Sequence, residues 1–137
     1  MENVTFLNKK MQLRTKKLQK KYSLDLNKWK DKCYLCETKD GLILKDCIIK
    51  NNDFPYDKIA EYHEIIFNKE HNKKLQVDLT KFYDFYDIIF QNKKSECSIK
   101  EHPHYHLVRL KDNIDKKEAI KNIKKNSIIH YINYARI

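Results

Sequence analysis

Three of the chain's six histidines stand at alternate positions in "EHPHYHLVRL": His102, His104 and His106. A β-strand turns successive side chains to opposite faces, so a strand here projects all three imidazoles from one face. Imidazole titrates near neutral pH and is a common metal ligand. Three together predict a reaction centre or a metal cluster. A second group, Cys33 and Cys36 in "CYLC", offers two soft ligands at the spacing of half a zinc site. A redox CxxC is the rival, but that motif sits before a helix in a βαβ pattern, and this pair precedes a turn and a strand. Two more ligands are needed. His71 closes "HEIIFNKEH" and His102 begins the histidine series. The short spacing of His102 and His106 suits a finger-like site, yet 65 residues separate Cys36 from His102, which makes a poor finger.

The elements that must position these residues can be read from pattern. Phe6, Leu7, Met11, Leu18 and Tyr22 lie near helical spacing among Lys9, Lys10, Lys16, Lys17, Lys20 and Lys21. They predict a basic amphipathic helix within residues 1–28. It reads as a solvated helix packed on the domain or on a second subunit, with a polyanion-binding arm as the alternative. Beyond Trp29, "GLILKDCIIK" reads as a strand after a turn at Gly41, the chain's one glycine, and "NNDFPYD" as a loop. "EYHEIIFNK" reads as a second strand. "VDLTKFYDFYD" is a short helix with Asp78 as N-cap, and "IIFQN" a brief strand. "KKSECSIK" is a loop or the start of a strand. "EHPHYHLVRLK" is a strand, with Pro103 near its beginning, where proline is tolerated. "DKKEAIKNIKK" is a helix from Asp115, and "SIIHYINYARI" fits helix or strand. No repeat or second domain is visible. The segments are an N-terminal helix (1–28), a core (29–112) and a C-terminal helical extension (113–137).

Bulk properties limit the partners. A chain of 137 residues is one domain, large enough to bury roughly two thirds of its unfolded surface. The net charge of +10, from 29 Lys and Arg against 19 Asp and Glu, suits polyanions. Nearly all of it is lysine in a chain rich in Lys, Asn, Ile and Tyr, which a biased composition also produces. A cleft for a phosphorylated small molecule needs far less charge. No apolar run reaches the roughly 18 residues of a membrane span, and "MENVTFLNKK" has no signal-peptide core. The chain reads as intracellular and cytoplasmic, without a membrane partner. In a reducing compartment its four cysteines point to metal binding or buried thiols. Cys47 and Cys97 read as buried thiols, and His130 as structural.

Taken together, these blocks resemble the histidine triad superfamily of nucleotide hydrolases and transferases. "EHPHYHLV" resembles its H-x-H-x-H signature. "CYLC" looks like the CxxC near the start of its zinc-bearing members. "EYHEIIFNKEH" is similar to its strand ending in a Pro-Lys-x-His turn, with Asn68 in the proline's place. "VDLT" matches the usual approach to its helix. "FQNKKSECSIKEHPHYH" resembles the closing block of galactose-1-phosphate uridylyltransferases. The likeness covers residues 29–110, with the five blocks in the family's order.

The resemblance implies an α+β fold, an antiparallel sheet with helices packed on it and a structural zinc, to which the pattern reading adds the basic N-terminal helix and a C-terminal helix. Cys33, Cys36, His71 and His102 would hold the zinc, with all four positions closed. His104 would be the nucleophile that forms a nucleotidyl-histidine. His106 would bond the phosphoryl oxygens or help to protonate the leaving group. Asn92 and Ser98 would contact substrate. His63 lies where the family often has a histidine and reads either as a substrate contact on the nucleoside side or as a satisfied core histidine, and Phe54 and Tyr56 are lesser candidates for the border of the base pocket. The implied activity is cleavage of a nucleoside-monophosphate ester, anhydride or phosphoramidate, with a nucleotide or dinucleotide as substrate. His106 at the last triad position tilts this toward hydrolysis, because the uridylyltransferases carry Gln there. A homodimer with the basic helix at its interface is compatible with the resemblance. Two alternatives are kept: a nucleic-acid-processing member resembling the aprataxin-type DNA-adenylate hydrolases, and a non-catalytic zinc module that binds a partner.

Overall fold

The computed structural model describes residues 13–28, 32–71, 74–93 and 102–137. Within them lie three α-helices: α1 (Lys16–Lys28), α2 (Tyr34–Glu37) and α3 (Lys116–Lys124). Six strands form one sheet: β1 (Leu42–Leu44), β2 (Cys47–Asn51), β3 (Ala60–Asn68), β4 (Ile88–Asn92), β5 (His104–Leu110) and β6 (Ser127–Ile132). Their order is β1-β2-β3-β5-β4-β6, and every pairing is antiparallel. The α+β class expected from the sequence is therefore observed. No helix among the described residues is long and apolar enough to cross a membrane.

Two-residue alternation sorts each strand's side chains. On one face, Ile88, Phe90, Val108 and Leu110 meet Ala119, Ile120 and Ile123 of α3. Further along that face, Ile48, Ile65 and Phe67 meet Leu35 of α2. On the other face, Ile49, Ile66, Ile89 and Leu107 pack beneath Leu75 and Tyr86, with Val77, Leu79 and Phe82 beside them. The helical face carries the histidines: His63 is paired across the ladder with Val108, and Ile65 with His106.

Local signals explain most element ends. The Asp115 carboxylate accepts from the Glu118 N–H at 3.1 Å and starts α3. Asp78 accepts from the Thr80 N–H at 3.1 Å, and the expected short helix is a 3-10 turn, Leu79–Phe82. The Thr15 hydroxyl accepts from the Leu18 N–H at 3.3 Å and caps α1. This is the described part of the expected N-terminal helix; residues 1–12 lie outside the described residues, as does most of "KKSECSIK".

Two expectations change. "GLILKDCIIK" is not one strand but a hairpin that turns at Lys45 and Asp46, with Lys45 at a φ of 54°. Gly41 is needed for close approach: a Cβ there would lie 2.2 Å from the Ile49 carbonyl oxygen. The C-terminal segment is helical over α3 only. After α3 the chain returns as β6 along β4, with Ile132 opposite Ile88 and Ile129 opposite Phe90. This pairing satisfies the backbone of β4, which would otherwise be an open edge. Arg136 then ties the chain end to the fully buried Asp87, with Nε–H donating to Oδ1 at 2.5 Å.

Candidate active site and metal centre

β5 carries His104 and His106 on the helical face, and its first residue follows directly on the loop that carries His102 and Pro103. β3 runs beside it and brings His63 onto the same face. His63 and His106 are buried, and His104 is half-buried. Their hydrogen bonds fix which nitrogen holds each proton.

A backbone N–H can only donate. The Tyr56 N–H lies 3.0 Å from His63 Nδ1, so Nδ1 accepts and the His63 proton is on Nε2. That Nε2–H donates to His106 Nδ1 at 2.8 Å, which puts the His106 proton on its own Nε2. Asn52 Nδ2 also lies 3.2 Å from His63 Nε2. The Asn52 oxygen is committed to the Phe54 N–H at 2.8 Å, so two N–H groups face each other there and this contact is not a hydrogen bond. His106 Nε2 is buried and has no hydrogen-bond partner among the described residues. His104 is the opposite tautomer. Its Nδ1–H donates to the His102 carbonyl at 2.9 Å, which leaves the lone pair on Nε2. The two rings are 5.1 Å apart.

Burial lowers the pKa of all three imidazoles. Burial, then the positive charge of Arg14, lowers His63 to about 3. Burial also takes His106 well below its usual value, with contributions from His63, His104 and Arg14. His104 is lowered by burial, partly offset by its bond to the His102 carbonyl. One face therefore offers an imidazole lone pair beside an unpartnered imidazole N–H.

The candidate metal-ligand residues converge separately. Ligand atoms of Cys33, Cys36, His71 and His102 all lie within 4.8 Å of one another, and the group could hold a metal ion. Cys33 comes just before α2, and Cys36 lies on it. His71 follows β3, and His102 precedes β5. Cys33 Sγ lies 3.3 Å from His102 Nδ1, Cys36 Sγ 3.3 Å from His71 Nδ1, and Cys36 Sγ 3.5 Å from His102 Nδ1. A tetrahedral cation with bonds of about 2.3 Å to sulfur and about 2.0 Å to nitrogen needs S···N edges of roughly 3.5 Å. His102 Nε2–H donates to the Asn68 carbonyl at 2.7 Å. That bond fixes the ring and turns Nδ1 to the cluster, as an orienting partner does at a metal site.

The remaining candidates fall as follows. Asn92 ends β4 on the histidine face, two residues after Phe90, which is paired with His106. Ser98 and Cys97 lie outside the described residues. His63 is close to the site, with Nδ1 bonded to the Tyr56 N–H and Nε2 to His106. Tyr56 stands with it, its ring 4.6 Å from His63 and parallel to His106 at 6.3 Å. His130 bonds Gln91 at 2.9 Å, away from the cluster on β6. Sequence reasoning missed Arg14 and Asn52. Neither belongs to a spaced motif, and only the folded loop after β2 brings them to the histidines. No protein-family model, curated protein or solved structure matches this chain.

Proposed function

We propose that this chain is a nucleotidyl hydrolase or transferase of the histidine-triad type, acting through a covalent nucleotidyl-His104. The observation that carries this reading is the pair of opposite tautomers: the His104 Nε2 lone pair beside the unpartnered His106 Nε2–H. A nucleophile and a donor for a phosphoryl oxygen need that combination.

In the first step His104 Nε2 attacks the α-phosphorus of a nucleoside-monophosphate group. A P–N bond forms as the bond from phosphorus to the leaving group breaks. The electron pair departs with the leaving atom, which takes a proton from solvent. The ring becomes a cation, and the His102 carbonyl at Nδ1–H stabilises that charge. His106 Nε2–H donates to a phosphoryl oxygen as negative charge builds. In the second step water attacks phosphorus and loses a proton, and the P–N electron pair returns to Nε2. The released product is the nucleoside monophosphate. Another hydroxyl or phosphate acceptor in place of water makes the same step a transfer.

Cys33, Cys36, His71 and His102 would hold a zinc ion, which joins the α2 region to the starts of β5 and its preceding loop. Four protein ligands leave no open position, so the ion's contribution is to folding. Asn92, at the end of β4, would contact the ribose–phosphate side.

A nucleic-acid substrate is the second reading. It is favoured by α1, whose Lys16, Lys17, Lys20, Lys21 and Lys28 are all exposed while its one acid, Asp25, is half-buried. It requires oligonucleotide affinity that falls steeply with salt.

The test is nucleotide release from adenosine and uridine phosphoramidates, dinucleoside polyphosphates, nucleotide sugars and adenylated DNA, with wild type beside His104→Ala. Release by wild type that is lost in the variant supports the reading. Release that survives the substitution refutes the His104 route, and no release from any substrate by folded, metal-loaded protein refutes the activity and favours a binding module.

A further inference from the structure

The histidine pair is reached from an element that the H-x-H-x-H and CxxC motifs do not include. Leu13 accepts from the Lys58 N–H at 3.1 Å. The Thr15 N–H and hydroxyl both donate to the Asp57 carboxylate, at 2.7 and 2.9 Å. Between them, Arg14 Nε–H donates to the Phe54 carbonyl at 2.8 Å. Its guanidinium lies 4.2 Å from the centre of the Tyr22 ring and 5.0 Å from that of Tyr56. Arg14 pairs with no carboxylate among the described residues. It is a half-buried cation held by a carbonyl, two aromatic faces and, at 3.4 Å, the Gln19 amide oxygen.

The loop it grips decides a tautomer. His63 has two neutral forms. In one, Nδ1 accepts from the Tyr56 N–H and Nε2–H donates to His106, so His106 shows Nε2–H to the site. In the other, His63 carries its proton on Nδ1 and Nε2 accepts from Asn52 Nδ2, which already lies 3.2 Å away. His106 would then hold its proton on Nδ1 and lose the donor at Nε2. The second form is excluded only while the Tyr56 N–H stays pointed at His63 Nδ1, because two N–H groups would then collide. Arg14 fixes the carbonyl of Phe54 and the ring of Tyr56, on either side of Pro55.

We propose that Arg14 is a positioning residue that locks His106 as an Nε2–H donor, making the N-terminal arm part of the reaction centre. The path is Arg14, the Phe54–Tyr56 loop, His63 and His106, and every link is a described contact. The inference deepens the nucleotidyl-transfer reading and rests on it for the catalytic consequence, although the tautomer itself does not depend on substrate.

The experiment uses the full chain with 15N-labelled imidazoles, comparing wild type, Arg14→Gln and Arg14→Lys at pH 7.5. Long-range proton–nitrogen spectra read each tautomer directly. Wild type should show Nε2–H on both His63 and His106. Arg14→Gln should lose the single Nε2–H form of His106, and Arg14→Lys should retain more of it. With a nucleoside phosphoramidate as substrate, kcat of Arg14→Gln should fall roughly tenfold to a hundredfold, the scale of a displaced catalytic group. KM should change by a smaller factor than kcat, because Arg14 acts through His106 rather than on substrate itself. If Arg14→Gln does not fold, the Arg14→Lys spectrum decides. An unchanged His106 tautomer in the folded variants overturns the proposal. So does a rise in KM alone, which would make Arg14 a substrate contact. If the tautomer depends on Arg14 but wild type cleaves nothing, the proposed function fails and the positioning role stands.

Discussion

Lowering the pH should weaken this fold through His63, and removing that one ring should remove a defined part of the loss. His63 is held at about 3 in the folded chain, whereas a free imidazole titrates near 6.5. Between those values the unfolded chain binds a proton that the folded chain refuses. Stability therefore rises with pH across this window, is fully present above 6.5 and falls as the solution is acidified toward 3. Integrating from pH 7.5 to 5 gives a loss of about 2 kcal/mol from this residue. His63 is buried with both nitrogens paired, so solvent screening takes little from that figure. His106 is depressed for the same main reason and adds in the same direction. The assay is urea unfolding at pH 7.5, 6.5, 5.5 and 5 for wild type and His63→Phe, read as free energies from equal slopes. Metal ligands and His106 are present in both proteins, so the difference between the two acid losses isolates the His63 ring. We expect wild type to lose about 2 kcal/mol more than the variant. Equal losses would refute the neutral His63 and the tautomers deduced from it.

Other consequences are as specific. Purified protein should carry about one zinc per chain by elemental analysis. Cys33→Ser should lose it and unfold several kcal/mol more easily, since structural zinc contributes roughly 10–16 kcal/mol of binding free energy to small folds; a stable, metal-free protein would contradict the metal centre. Arg136→Ala should cost about 3 kcal/mol in denaturant unfolding, because it strands the buried Asp87 carboxylate. Adding Asp87→Asn should recover part of that cost, and additive losses would contradict the pairing. Gly41→Ala should destabilise by roughly 1–3 kcal/mol, as its Cβ meets the β2 backbone. An unchanged thermal midpoint would contradict that packing.

Much of this architecture was legible in residue order. Alternation in "HYHLVRL" and the apolar centre of "EYHEIIF" marked β5 and β3, and Asp115 and Asp78 marked the starts of their helices. The four metal-ligand candidates came together only through the resemblance to the histidine triad superfamily, since residue chemistry alone also allowed a finger-like site with His102 and His106. What was hidden depends on three-dimensional return of the chain. "SIIHYI" carries both helical and strand patterns, and only the open edge of β4 selects a strand. "LILKDCII" reads as one run because its turn uses Lys45 rather than glycine. The support for His106 was least visible. It comes from a backbone amide at Tyr56 and from Arg14, and neither a main-chain N–H nor one arginine in a lysine-rich segment leaves a pattern in sequence.

The central claim is a covalent bond to His104, and rapid-quench mass spectrometry reads it most directly. Wild-type protein would be mixed with a nucleoside phosphoramidate or a dinucleoside polyphosphate, quenched in base to preserve the phosphoramidate, and digested. The account predicts a nucleotidyl group on the peptide bearing His104, formed and consumed at the rate of turnover and absent from His104→Ala. Turnover without that adduct, or with the nucleotide on another residue, would contradict it.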